Sequence, residues 1–194
     1  MLADDIDAVV KIHQKAFKGF FLERMGPEFL SVYHHCVFDY AHSVSLVHVN
    51  KTGIVDGFVT GYENPTQFYA ALRSAKLKLV RPVFVALARR PWLILKVLAN
   101  LFRVRKNSTS LYSQGAIELG TIGVLNSGGG VGGELIRDFI EKSWALGAHS
   151  INLTTDRDDN ERAHEFYLKY HFVNSGSEYR EGRTLTRYLI ENPK

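Results

Sequence analysis

With 194 residues, 45% of them apolar and 23% charged, the chain has the size and composition of one ordinary folded domain with a substantial core. A single cysteine, Cys36, excludes an intramolecular disulfide and a cysteine-based metal cluster, which fits a reducing, cytoplasmic setting. No apolar run reaches the roughly 18 residues of a membrane-spanning helix, and the opening MLADDIDAVV carries aspartates where a secretory signal would be basic. The net charge of +4 is unevenly placed. Ten Lys and Arg but no Asp or Glu lie between Pro65 and Ile117, and removing them leaves −6 for the remainder.

Helical spacing of Ile6, Val9, Val10, Ile12 and Phe17 predicts a first helix over Asp4–Phe17, with Asp4 or Asp5 as its N-cap. Gly26-Pro27 breaks the chain, and a second helix is expected from Glu28 to about Tyr40. It buries Phe29, Leu30, Tyr33, Val37 and Phe38, with the Tyr33 hydroxyl at the edge. Two β-branched runs, Ser43–Val49 and Ile54–Gly61, flank Asn50-Lys51-Thr52-Gly53 and read as a hairpin. The basic segment reads as a helical insertion over about residues 64–108. Phe68, Tyr69, Leu72 and Leu79 predict one helix ending near Pro82, and Trp92, Leu95, Leu98, Ala99 and Phe102 predict another from Pro91. A polar loop, Asn107–Gln114, follows it.

From Glu118 a buried strand, ELGTIGV, runs into a loop with five glycines in six positions, Gly128 to Gly133 around Val131. A helix of about 15 residues then shows an apolar stripe of Val131, Leu135, Ile136, Phe139, Ile140 and Trp144, and ends at Gly147. Ser150–Thr155 reads as a strand, Asn160–Tyr170 as a short helix and Arg183–Ile190 as a last strand. The order implies a single α/β (α+β) domain with a mixed central sheet flanked by helices.

Strand, glycine loop and helix N-terminus form an arrangement whose bare backbone N–H groups bind phosphate. A nucleotide P-loop needs Gly-Lys-Ser/Thr, and Gly133 is followed by Glu134-Leu135. Gly128, Gly130 and Gly133 match the dinucleotide G-x-G-x-x-G, and Asp156 stands near the place of a ribose-binding acid. Too few βα units surround them for that fold.

A second stretch, NERAHEFYLKYHF from Asn160 to Phe172, combines with the loop into a pattern that resembles the GNAT acetyltransferase superfamily. Gly130 and Gly132 fill that family's loop glycines, and Asn160, Ala163, Phe166, Tyr167 and Phe172 fill its second motif. The resemblance covers Glu118 to about Ser175 well and the N-terminal half loosely. There are departures: Ser127 stands where the family has Arg or Gln, and the loop is about two residues shorter. His171 replaces a glycine, and the usual first strand is missing or begins upstream.

The resemblance implies acetyl-CoA as acyl donor, no metal, and direct attack on it by the primary amine of a small acceptor. Ile122, Gly123 and Val124 would hold the pantetheine arm. Ser127, Gly128, Gly129, Gly130, Val131, Gly132 and Gly133 would hold the pyrophosphate. Asn160 and Ala163 would flank the arm, and Asn160 also suits an ordinary N-cap. Tyr167 is the candidate acid for the departing thiolate, against a plain core aromatic. Glu118 is the candidate base, expected on one strand face with Gly120, Ile122 and Val124, against a solvated strand-end glutamate. None of the eight histidines shows metal-ligand spacing.

Three readings fit the basic insertion: a lid over the acceptor, an anion site for an acceptor such as an amino sugar or its nucleotide conjugate, or a peripheral membrane contact through residues 73–106. Nucleic acid is not expected, since aromatic interleaving is sparse and no reader motif is present. A non-catalytic acyl-CoA-binding module is the rival from another functional class.

Overall fold

A computed structural model describes residues 1–74, 76–89, 91, 115–180 and 182–193. A 3-10 turn at Ala3–Asp5 leads into α1 (Ile6–Ala16), followed by the one-turn α2 (Phe21–Arg24) and by α3 (Pro27–Asp39), with Pro27 in its first turn. The hairpin forms as β1 (Ser43–Val49) and β2 (Val55–Glu63), and α4 (Pro65–Ser74) and α5 (Lys76–Arg89) follow. Then come β3 (Ala116–Val124), α6 (Val131–Ala145), β4 (Ser150–Asp156), α7 (Glu161–Lys169), β5 (Val173–Arg180) and β6 (Arg183–Glu191). The expected helix from Pro91 and the loop Asn107–Gln114 lie outside the described residues.

The six strands form one mixed sheet in the order β1-β2-β3-β4-β6-β5. Only β3 and β4 are parallel, as the intervening α6 crossover requires. One sheet face is covered by α6 and α7: Leu135, Ile136 and Phe139 pack with Val44, Val59, Leu119, Ile151 and Leu153, and Tyr167 and Phe172 join them. The other face carries α1 and α3, with Val9 and Ile12 against Phe58 and Phe29, Tyr33 and Val37 against Tyr62 and Phe68.

Four expectations are corrected here. Helix α5 does not stop near Pro82 but runs through it to Arg89. Leu79, Val83, Ala86 and Leu87 continue one apolar stripe onto the Phe29–Tyr33–Phe68 cluster, and this packing offsets the hydrogen bond a proline removes. β5 was not foreseen, because VNSGSEYR lacks apolar alternation; it forms by pairing along β6. Tyr33 is buried at 4% exposure and packs with Tyr62 and Phe68 inside the fold rather than sitting at the edge.

The fourth correction concerns Glu118. Thr60 pairs with Thr121 but Gly61 pairs with Leu119, so β3 carries one extra residue, Gly120, in a β-bulge. Strand alternation therefore changes phase. Leu119, Ile122 and Val124 face α6, whereas Glu118 and Thr121 share the opposite face with Tyr62 and Thr60. Glu118 does not lie on one face with Ile122 and Val124.

Candidate functional site

β3 and β4 pair only over Ala116–Glu118 and Ser150–Asn152. Past that point they diverge, β3 following β2 to Val124 and β4 following β6 to Asp156. The gap opens into a cavity of about 1400 Å³, one half lined by the glycine loop and α7, the other by α1, α2, α3, α4 and α5. Beyond Glu118, β3 has no partner on this edge among the described residues, so its backbone groups there can take a ladder from an amide-bearing chain.

Ile122, Gly123, Val124, Ser127 through Gly133, Asn160, Ala163 and Tyr167 all line this one cavity. Gly128 and Gly130 take φ of 98° and 86°, the left-handed region that glycine enters without strain. A Cβ at Gly128, Gly129 or Gly130 would have nothing within 4 Å, so the cradle is open to the cavity. The Gly130 carbonyl accepts the N–H groups of Gly133 (2.8 Å) and Glu134 (3.1 Å), which starts α6. Gly133 therefore has no N–H to offer, and a Cβ on it would collide with the Tyr170 hydroxyl. Its glycine serves α6–α7 packing, while the N–H groups of Gly129 to Gly132 have no backbone acceptor among the described residues.

Ser127 is not isolated. Arg162, in the first turn of α7, donates from Nη1 to its Oγ at 2.9 Å, placing an exposed guanidinium beside the glycine loop. Asn160 donates from Nδ2 to Thr155 Oγ1 (2.6 Å) and to the Asp156 carbonyl (3.1 Å). Its side chain thus ties down the β4–α7 loop without capping the helix, and its own carbonyl accepts from Ala163 and His164. Tyr167 is packed between Phe166, Phe172 and Tyr188. Burial raises its pKa, so the phenol stays protonated across the physiological range. His171, where the resemblance expects glycine, holds φ of 65°, a left-handed turn after α7.

On the other half, the bulge at Gly120 points at Tyr62, whose hydroxyl meets that of Tyr69 at 3.2 Å. Tyr33 lies in the same cluster, and burial first, then the neighbouring Tyr69 and, more weakly, the Glu118 charge, raise the pKa of Tyr33 and Tyr62. Tyr33, Tyr69, Gly120 and Thr121 line the cavity; Glu118 stands behind them. His13, which also lines it, pairs with His34 through Nδ1 and Nε2 at 3.1 Å. Burial lowers their pKa values to about 4 and about 3, so both are neutral at pH 7.

The sequence reading missed Arg162, the three converging tyrosines and the histidine pair. The histidines did leave a signal: His13 continues the Ile6–Val10 stripe, and His34 follows Leu30 by one turn. Among the described residues no group of three His, Cys, Asp or Glu is placed to hold a metal, and no helix is long and apolar enough to cross a membrane.

No family model matches the chain, and no curated protein matches it. Solved structures do. One is a protein from Desulfovibrio desulfuricans described as a GNAT-family acetyltransferase, at TM-score 0.59 and 13% identity, covering 97% of this chain and 91% of that one. The spermidine/spermine N-acetyltransferase SpeG from Vibrio cholerae matches at 0.57 and 14%, covering 98% and 89%. YncA from Salmonella typhimurium, solved with acetyl-CoA, matches at 0.62 and 12%, covering 98% and 90%. The fold of this chain is the GNAT fold.

Proposed function

We propose that this chain, built on the GNAT fold, is an N-acetyltransferase that moves an acetyl group from acetyl-CoA to the primary amine of a small acceptor. The observation that carries the reading is the convergence of the β3 edge, unpaired beyond Glu118 among the described residues, the open glycine cradle and Tyr167 on a single cavity. Acetyl-CoA, when bound, supplies a thioester that an amine can attack directly.

The residues fit that cofactor. The N–H groups of Gly129 to Gly132 and the N-terminal end of α6 suit a pyrophosphate, and Arg162 contributes the side-chain cation that Ser127 cannot. The β3 edge over Ile122–Val124 suits an amide-bearing arm. With acetyl-CoA bound, Tyr167 would give its proton to the departing sulfur as the C–S bond breaks and the C–N bond forms, and take back the proton that the acylated nitrogen sheds. The ammonium proton leaves through Tyr69 or Tyr33 towards Glu118, which acts at one remove from the cavity. Calorimetric titration with CoA tests the reading: a Kd below about 1 mM is expected, and no heat at millimolar CoA overturns it.

A further inference from the structure

The acceptor half of the cavity has two chemistries, and together they define a class of amine. Three hydroxyl-bearing side chains stand at one end, where Tyr33, Tyr69 and Thr121 border the β3 bulge. The wall leading away from that end is apolar: Phe21, Met25, Phe29, Leu72, Leu79 and Val83, contributed by α2, α3, α4 and α5.

Acids are scarce there. Asp156 is the one Asp or Glu among the described lining residues; Arg183 Nη1 binds its Oδ2 at 2.8 Å, while its Oδ1 has no hydrogen-bond partner among the described residues. The residues between α5 and β3 cannot add another, because the sequence has no Asp or Glu from 64 to 117. The charged side chains on this half other than that pair, Lys15 and Arg73, are cations.

We infer that the acceptor is a monoamine on an aromatic or branched aliphatic body, with its amine at the tyrosine end and its body against the apolar wall. The inference rests on the acyl-transfer reading above and narrows it. A polyamine would bring a second ammonium to the stretch of wall from Phe21 to Val83, which offers no carboxylate among the described residues, and would meet Lys15 and Arg73. An amino sugar would bring hydroxyls that the apolar side chains described on the wall cannot bond, and an apolar pocket disfavours one added hydroxyl by about a hundredfold.

The test measures acetyl-CoA-dependent rates with 2-phenylethylamine, spermidine and glucosamine, following thiol release and confirming each product by mass. Phenylethylamine is expected to exceed both others in kcat/KM by about a hundredfold. Equal or better use of spermidine or glucosamine overturns the inference. So does a protein that binds CoA but neither acetylates phenylethylamine nor shows contact with it by saturation-transfer NMR. Absence of CoA binding instead removes the acyl-transfer reading itself. A Leu72→Glu variant places an acid on the wall where Leu72 is only partly buried. It should narrow the phenylethylamine-to-spermidine ratio at least about tenfold, and an unchanged ratio in folded variant protein overturns the inference.

Discussion

The two halves of the cleft are built from different materials. The cofactor half is mostly backbone: a strand edge left open by the divergence of β3 and β4, and a glycine cradle at the start of α6. The acceptor half is mostly side chains, brought by four helices and by α1 onto the far face of the same sheet. Backbone recognises what is constant in a ligand, such as an amide or a phosphate, at the cost of tolerating almost no side chain. A side-chain wall sets which body is admitted and can vary without disturbing the fold.

The largest expected effect tests whether the two halves meet in a reaction at all. Tyr167→Phe removes one hydroxyl from a packed ring. It should lower kcat about 100-fold, within the range for loss of a positioned proton or hydrogen-bond donor, and leave CoA affinity unchanged. Unchanged turnover would remove Tyr167 from the chemistry, and no turnover in either protein with CoA still bound would favour a module that binds acyl-CoA without using it.

Acid should separate the halves next. His13 and His34 are held neutral by burial, at about 4 and about 3 against 6.5 for a free imidazole. The unfolded chain takes up protons below pH 6.5 while the folded chain does not. The stability from this pair is therefore complete above pH 6.5 and falls away as pH drops towards about 4. For His13 alone the loss is of order 3 kcal/mol. Hydrogen exchange should show α1 and α3 losing protection before α6 as the pH falls, and a His13→Leu/His34→Leu variant should flatten the dependence. A uniform loss with no change in the double variant counts against it.

The same difference in materials explains what was legible in the sequence. Gly128 to Gly133 and Asn160 to Phe172 stand in register in one dimension because the loop and α7 are local structures, and every cofactor-side residue read from them lines the cavity. Glu118 was misplaced because period-two counting cannot see a bulge. Gly120 looks like any strand glycine until Thr60 and Gly61 are known to be its neighbours. Gly133 was counted with the cradle although its role is to admit Tyr170, a contact 37 positions away. The tyrosine cluster joins α3, β2 and α4 and has no linear signature. Pro82 misled for a related reason, since the packing that carries α5 past it comes from α3 and α4.

The smallest effect sharpens the division between backbone and side chain on the cofactor half. Read from the loop alone, Ser127 implies a pyrophosphate held by N–H groups only. Arg162 reaches across from α7 and bonds to that serine, so the cation is present but comes from a different element. Its guanidinium is exposed, which limits its contribution to roughly that of one screened charge-assisted contact. Arg162→Ala should therefore raise the Kd for CoA about tenfold, or about 1.4 kcal/mol, and Arg162→Lys should recover part of it. Pantetheine, which has no phosphate, should bind both proteins equally, and added salt should reduce the difference for CoA. An equal loss for pantetheine would mean that Arg162 merely holds the loop through Ser127. In that case the cradle binds by backbone alone, as Ser127 suggested at the outset.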